Sequence, residues 1–275
     1  MLALDIERGQ LPVADRVLFR WNGRYKLQLG MLGSAWLMTS SFDGAFLIDP
    51  AARTIRCFVQ DPDDPAWLDV FVRRVLPRVA ILFGASAIHA AAAAIDGHAL
   101  LLLGESGAGK STTSAALGSA GWDVLSDDIS ILWHRDAPTV APATTGMCVW
   151  PDSRQALRLD DAHCVPMPGY PGKMRFVPGN ESNTALVPLG ALVFLDQGEG
   201  NAPSISPISG AEAATRASHQ RIRFNPSDRA GKEMHDGFAA LVAIARVTPC
   251  YRLTRPRDYG ALPAAVALLR QTLES

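Results

Sequence analysis

The stretch that most constrains this chain runs from residue 99 to residue 113. Ala99 and the four leucines Leu100, Leu101, Leu102 and Leu103 form an apolar run, glycines break it at Gly104, Gly107 and Gly109, and a helix-competent Lys110, Ser111, Thr112, Thr113 follows. Bounded by His98 and Gly104, the leucines fit a strand buried on both faces and fall far short of the roughly 18 apolar residues that cross a membrane. Gly104, Gly109, Lys110 and Ser111 match the pattern G-x-x-x-x-G-K-[ST]. Backbone free of side chains can turn successive N–H groups inward around phosphate oxygens, and the helix that follows aims the positive end of its dipole at them. The expected contacts to a nucleotide's phosphates are therefore Gly104, Glu105, Ser106, Gly107, Ala108, Gly109, Lys110, Ser111 and Thr112. Lys110 would reach the β and γ oxygens, and the Ser111 hydroxyl would ligate Mg²⁺. A plain surface turn is disfavoured by the buried strand before the glycines and the alanine-rich helix after them.

Composition narrows the setting. With 275 residues, 48% hydrophobic and 19% charged, the chain can bury a sizeable core in one or two domains. A formal net charge of −1 supplies no electrostatic footprint for nucleic acid or an anionic membrane. Cys57, Cys148, Cys164 and Cys250 are scattered without a C-x-x-C pair, which argues against a zinc site or a disulfide framework and for reduced, cytoplasmic thiols. The N-terminus, with Asp5, Glu7 and Arg8, lacks the basic-then-apolar order of a signal peptide.

Along the chain, residues 17–21, 25–29, 34–39, 45–48 and 54–59 alternate between turn signals at 22–23, Gly30, 43–44 and 49–50, which predicts an antiparallel meander. Trp67, Val70, Phe71, Val75, Val79 and Leu82 recur at helical spacing, with Pro77 as a kink or break. Residues 87–94 predict a strand containing His89, and Asp96 with Gly97 a hairpin turn into the leucine strand. Two antiparallel strands then precede the loop, unlike the doubly wound nucleotide folds. Residues 124–128 read as a strand ending in two acids, and the Pro/Gly-rich 135–185 as the substrate-facing segment, with a short helix from Trp150 and a strand from Gly172. Beyond it come a buried strand at 187–195, a polar turn region at 198–210, helices at 211–223 and 237–247, a strand at 250–253 and a closing helix at 262–273.

Asp127 and Asp128 form the second chemical element. Transfer of a phosphoryl group to a hydroxyl needs one carboxylate near the acceptor and usually one near Mg²⁺, and neighbours on a strand point to opposite sides. The plainer alternative is a solvated turn using Asx hydrogen bonds. His89, alone in an apolar run, fits a satisfied core histidine. Lys173 and Arg175 fit either a clamp on phosphate oxygens or an acidic substrate, or a solvated face.

Taken together, residues 88–90, 104–112, Gly121 with Trp122, and Ser126, Asp127 and Asp128 resemble the catalytic domain of HPr kinase/phosphorylase, whose phosphate-loop fold is related to phosphoenolpyruvate carboxykinase. The resemblance is specific over roughly residues 86–133. Residues 140–152, 173–175, 188–195 and the closing segment from Pro249 are similar to stand-alone HPr-kinase-like proteins of peptide-modification systems, among them kinases of lasso-peptide precursors. It implies an α/β fold: a P-loop kinase core with a mixed sheet over 83–275, preceded by a small β-rich region over 1–82. It implies ATP and Mg²⁺ as cofactors, Asp127 as the base that takes the acceptor proton, His89 hydrogen-bonded nearby and tuning it, and Asp128 at the metal with Ser111; Lys173 and Arg175, two cations in the segment expected to overhang the loop, are expected toward the substrate by that position. The expected partner is a peptide or small protein with an acceptor serine, with a homo-oligomer left open and neither nucleic acid nor membrane engaged. Residues 1–82 do not match the N-terminal domain of the bifunctional enzymes, and their glycine-rich signature after the paired acids is missing, which points away from phosphorolysis and from HPr itself. A small-metabolite kinase and a nucleotide-sensing module without turnover are the competing readings; an Asn-Lys-x-Asp motif, the mark of a GTPase, does not occur.

Overall fold

The computed structural model describes all residues except 1, 24–25, 42–43, 145, 168–169, 178–184, 229–230 and 275. Strands β1 (Ala3–Arg8), β2 (Arg16–Arg20), β3 (Gln28–Leu32), β4 (Ala35–Ser40), β5 (Gly44–Asp49) and β6 (Thr54–Val59) form a sheet of order β1-β6-β5-β4-β3-β2. From β2 to β6 it is the antiparallel meander that the alternation predicts; residues 25 and 43 of that expectation lie outside the described residues. Strand β1 returns to pair in parallel with β6, Ala3 opposite Thr54. Its exposed Leu4 and Ile6 leave no buried face for a sequence pattern to show. Gly30, expected as a turn, instead lies inside β3, where a Cβ would come within 2.7 Å of the Arg16 carbonyl oxygen. The glycine marks a close approach of strands, not a reversal.

Asp64 caps the following helix, its Oδ1 accepting the Ala66 N–H at 2.9 Å. The helix comes in three pieces: α1 (Pro65–Val70), a π-helical turn (Phe71–Val75) and α2 (Leu76–Leu82). Pro77 explains the middle piece. It has no N–H to donate, and its ring crowds the carbonyl four residues back, so the backbone widens and the Leu76 N–H bonds to the Phe71 carbonyl. Trp67, Val70, Phe71, Val75 and Val79 pack on Leu29, Met38, Phe46, Ile48, Ile55 and Val59 of the sheet. Full burial of each large apolar side chain is worth about 1.5–3 kcal/mol. Phe224, from the far side of the division expected at residue 82, joins this core and sets its ring 5.0 Å from Trp36.

The second sheet holds β7 (Ser86–Ile88), β8 (Ala91–Ile95), β9 (His98–Leu103), β10 (Asp123–Ser126), β11 (Ser130–His134) and β12 (Pro138–Ala141). A small third sheet of order β13-β15-β14 follows, from β13 (Met147–Val149), β14 (Cys164–Pro166) and β15 (Met174–Phe176), with α4 (Pro151–Ala156) between its first two strands. The chain returns to the second sheet in β16 (Val187–Gln197), β17 (Ser204–Pro207) and β18 (Cys250–Arg255). That sheet runs β10-β8-β9-β16-β12-β11-β7, with β18 also beside β16 and β17 beside β18. β8 and β9 form the expected antiparallel hairpin, whose turn residues Asp96 and Gly97 both have positive φ, 50° and 79°. β9, β16 and β18 run parallel, so the sheet is mixed.

Helices α3 (Lys110–Ser119) and α7 (Leu262–Glu274) cover one face, and α5 (Gly210–Ser218) and α6 (Lys232–Val247) the other. The alternation along β9 distributes them: Leu100 and Leu102 pack with Leu117, Ala265 and Leu269, while Leu101 and Leu103 pack with Ala213, Ala217, Leu241 and Ile244. The chain is therefore a mixed α/β protein. Helix α5 stops at Ser218, short of the expected residue 223, and the polar 198–210 segment contains β17. His89 does not sit within a strand as predicted. The run breaks there, β7 pairing with β11 and β8 with β9, and the His89 N–H bonds to the Gln220 carbonyl at 2.7 Å instead of a ladder partner.

Candidate functional site

Strand β9 delivers the chain to the glycine loop, and α3 starts at Lys110 directly after it. Gly104, Gly107 and Gly109 all adopt positive φ, 154°, 82° and 97°, conformations closed to most side chains. Within the loop the Ala108 N–H donates to the Glu105 carbonyl at 3.1 Å, spanning Ser106. Lys110 Nζ donates to the carbonyls of Gly104 at 2.7 Å and Glu105 at 3.2 Å. Burial lowers the Lys110 pKa, against the pull of Asp128, Glu105 and Asp127. Neighbouring segments hold the loop: from the end of β16 Gln197 Nε2 donates to the Gly107 carbonyl at 3.1 Å, and from the turn after α5 Gln220 Nε2 donates to Glu105 Oε1 at 3.4 Å. Thr112 Oγ1 lies 3.2 Å from Ser153 Oγ, which is 3.2 Å from the Tyr259 hydroxyl.

Asp127 and Asp128 lie in the bend after β10, which ends at Ser126 and not at the acids as expected, and β10 pairs with β8, so one strand separates the acids from β9. Asp127 is buried, 5% exposed; its Oδ2 accepts the Cys148 N–H at 2.7 Å, and its Oδ1 is buried with no hydrogen-bond partner. Burial raises its pKa, and the opposing effects of Arg73 and the Cys148 N–H do not reverse this. Asp128 moves the other way. Burial alone would raise it, but Arg74 at 2.7 Å, Arg73 at 3.4 Å, His89 and Lys173 together lower it.

His89 is expected beside Asp127 and is found on Asp128. Its Nδ1 is 2.5 Å from the Asp128 carbonyl and 3.2 Å from Oδ1. A carbonyl oxygen only accepts, so Nδ1 carries the proton. The break between β7 and β8 produces this placement, because it frees the ring from the sheet.

Arg73 and Arg74 were not singled out in the sequence. The π-helical turn puts both on Asp128, which makes the segment before residue 82 part of the site. The signal that would have found them is an arginine pair interrupting an apolar helical run, four and three residues before a proline. Arg175, expected toward the substrate, is instead buried in an ion pair, its Nη2 2.6 Å from Asp69 Oδ1, and Asp69 is fully buried. Strand β15 turns it inward toward α1, where a buried carboxylate needs a partner. Lys173 does reach the site, with its ammonium 5.6 Å from the Trp150 ring and 5.7 Å from the Tyr170 ring.

These groups surround one cavity of about 200 Å³, lined by Arg73, Arg74, His89, Ser111, Asp127, Asp128, Met167, Tyr170 and Lys173. Ser111, at the start of α3, and Asp128 both line it. One hydroxyl and one carboxylate fit Mg²⁺, a hard cation that takes few protein oxygens and fills its remaining positions with water and phosphate. Among the described residues no group of three or more His, Cys, Asp or Glu forms a self-sufficient metal cage.

No family model and no curated protein matches the chain. Among solved structures it is similar to the Hpr(Ser) kinase/phosphatase from Coxiella burnetii, with a TM-score of 0.36 and 15% identity over 67% of this chain and 94% of that one. No helix among the described residues is long and apolar enough to cross a membrane.

Proposed function

We propose that this chain is an ATP-dependent kinase that transfers the γ-phosphoryl group to a serine hydroxyl of a peptide or small protein, with a ribosomally made lasso-peptide precursor as the specific case. The observation that carries the reading is the shared cavity: Ser111, from the start of the helix behind the glycine loop, faces the same space as Asp127. Asp127 is suited to act as the base. Its Oδ2 is pinned by the Cys148 N–H while Oδ1 is left to accept a proton, and burial makes the carboxylate more basic than usual. Lys110 and the loop N–H groups would hold the transferring phosphoryl group, and Lys173, Arg73 and Arg74 would add positive charge around it. Mg²⁺ would neutralise phosphate charge from Ser111 and Asp128. A space of about 200 Å³ suits a single side chain presented at the tip of a larger acceptor. The serine and the peptide class rest on the motif resemblance of residues 86–133 and of the closing segment.

The test is mass spectrometry of candidate serine-bearing peptides incubated with the protein, ATP and Mg²⁺, with Lys110→Ala as control. A mass gain of one or more phosphates, lost in the Lys110→Ala protein, is expected. Phosphate appearing on free metabolites but on no peptide would overturn the acceptor class, and nucleotide binding without transfer to any acceptor would overturn the kinase reading.

A further inference from the structure

We infer that Arg255, which lies outside the glycine-loop pattern, is a direct ligand of the bound nucleotide's phosphates; this rests on the reading of the loop as a nucleotide site. Arg255 is the last residue of β18. β9, β16 and β18 are parallel, and ligands of such sheets bind beyond the carboxyl ends of the strands, where Gly104 and Arg255 both emerge. The guanidinium points its Nη2 end at the loop: a Cβ on Gly109 would collide with Nη2. Gly109 immediately precedes Lys110, so the cation sits at the N-terminal end of α3 beside the lysine of the pattern.

What sets Arg255 apart is its lack of a counter-charge. It is 7% exposed, as buried as Arg73, Arg78 and Arg175. Arg73 and Arg175 meet Asp69 and Asp128, and Arg78 stacks 4.7 Å over Trp21. Among the described residues Arg255 has no carboxylate partner and no stacked ring: Nη1 donates to the Pro256 carbonyl at 3.1 Å, Nε is buried with no partner, and the nearby Tyr259 hydroxyl, its pKa raised by burial, supplies no negative charge. A buried guanidinium left so is costly unless an anion completes it. The planar fork matches the geometry of phosphate oxygens, and on the nucleotide reading of the loop the anion beside it is a polyphosphate.

Calorimetry with ATP·Mg²⁺, inorganic tripolyphosphate and adenosine, on wild type, Arg255→Gln, Arg255→Lys and Lys110→Ala, tests this alongside thermal unfolding without ligand. The expected result is about 10- to 100-fold weaker binding of both ATP and tripolyphosphate by Arg255→Gln, with partial recovery in Arg255→Lys, as for loss of a charge-assisted hydrogen bond. Adenosine binding should not change, and the unliganded melting temperature should stay level or rise, since an unpaired buried charge has been removed. Wild type that binds neither ATP nor tripolyphosphate would refute the nucleotide site itself, and this inference with it. Wild type that binds them, with Lys110→Ala weakened and Arg255→Gln within twofold of wild type, would overturn the role of Arg255 alone. An Arg255→Gln protein that unfolds, or melts earlier while Arg255→Lys binds as wild type, would mark the residue as a brace and overturn it too.

Discussion

Adjacent carboxylates at 127 and 128 should respond to the same substitution with opposite changes in stability. Asp128 contacts Arg74 at 2.7 Å and Arg73 at 3.4 Å, and both guanidiniums are largely shielded from water. Removing one partner of a buried pair costs about 3–5 kcal/mol, and here it takes the 2.7 Å carboxylate from Arg74 and leaves Arg73 the longer 3.9 Å contact to Asp69. Asparagine keeps one acceptor oxygen and restores about 1 kcal/mol, so Asp128→Asn should lose about 2–4 kcal/mol. At about 2–4 °C per kcal/mol, the melting temperature should fall by about 4–16 °C. Asp127→Asn should be neutral or stabilising. Its oxygen can still accept the Cys148 N–H, and the burial that raises the Asp127 pKa no longer acts on a charge.

The pH dependence separates the two further. Asp128 is depressed in the fold, so its contribution is complete above the ordinary carboxylate pKa and is lost as pH falls through its folded value. Asp127 is raised, so its ionisation weakens the fold as pH climbs from the ordinary value to the raised one. The advantage of Asp127→Asn over wild type should therefore grow across that window and be flat above it. Urea unfolding at a series of pH values measures both. A stable Asp128→Asn protein, or an Asp127→Asn protein less stable than Asp128→Asn, would refute the electrostatic account. On activity, Asp127→Asn should lower transfer by about 10²–10⁴-fold with nucleotide affinity retained, as for loss of a general base.

Lys173→Met should raise the acceptor KM or lower kcat with stability within about 0.5 kcal/mol, whereas Arg175→Met should take from the buried Asp69 its 2.6 Å cation, leaving it the longer 3.9 Å contact to Arg73, and lower stability with little direct effect on turnover; steady-state kinetics beside denaturant unfolding sorts the pair, and the reverse pattern would return Arg175 to the substrate side. His89→Ala should increase the Mg²⁺ concentration needed for half-maximal rate and leave the proton-acceptor pKa of the rate profile in place, since the ring holds Asp128 and not Asp127. Gly109→Ala should destabilise by about 1–3 kcal/mol through strain at φ 97° and displace Arg255, so nucleotide affinity should fall with it; unchanged calorimetric binding would show that the loop tolerates a side chain there.

The glycine loop was legible in the sequence because its chemistry is local: a strand of four leucines, glycines at conformations closed to other residues, and a lysine and serine on the first turn of a helix are all specified within residues 99–113. The hairpin at Asp96 and Gly97 and the meander of the first sheet were legible for the same reason, since turn residues and period-two alternation act over a few positions. The remainder of the site depends on contacts between distant segments. Arg73 and Arg74 face Asp128 only because Pro77 widens the helix into a π turn and the helix packs beside the acids, more than 50 residues apart in sequence. Lys173 and Arg175, two residues apart on one short segment, look equivalent as a string, yet the tertiary structure sends one to the cavity and the other to a buried Asp69. His89 and β1 escaped for the same cause: where the strand breaks and which edge a polar strand joins are decided by partners elsewhere in the chain. Residue identity and local periodicity determined the loop, the hairpin and the presence of paired acids, and long-range packing alone decided which cations those acids meet.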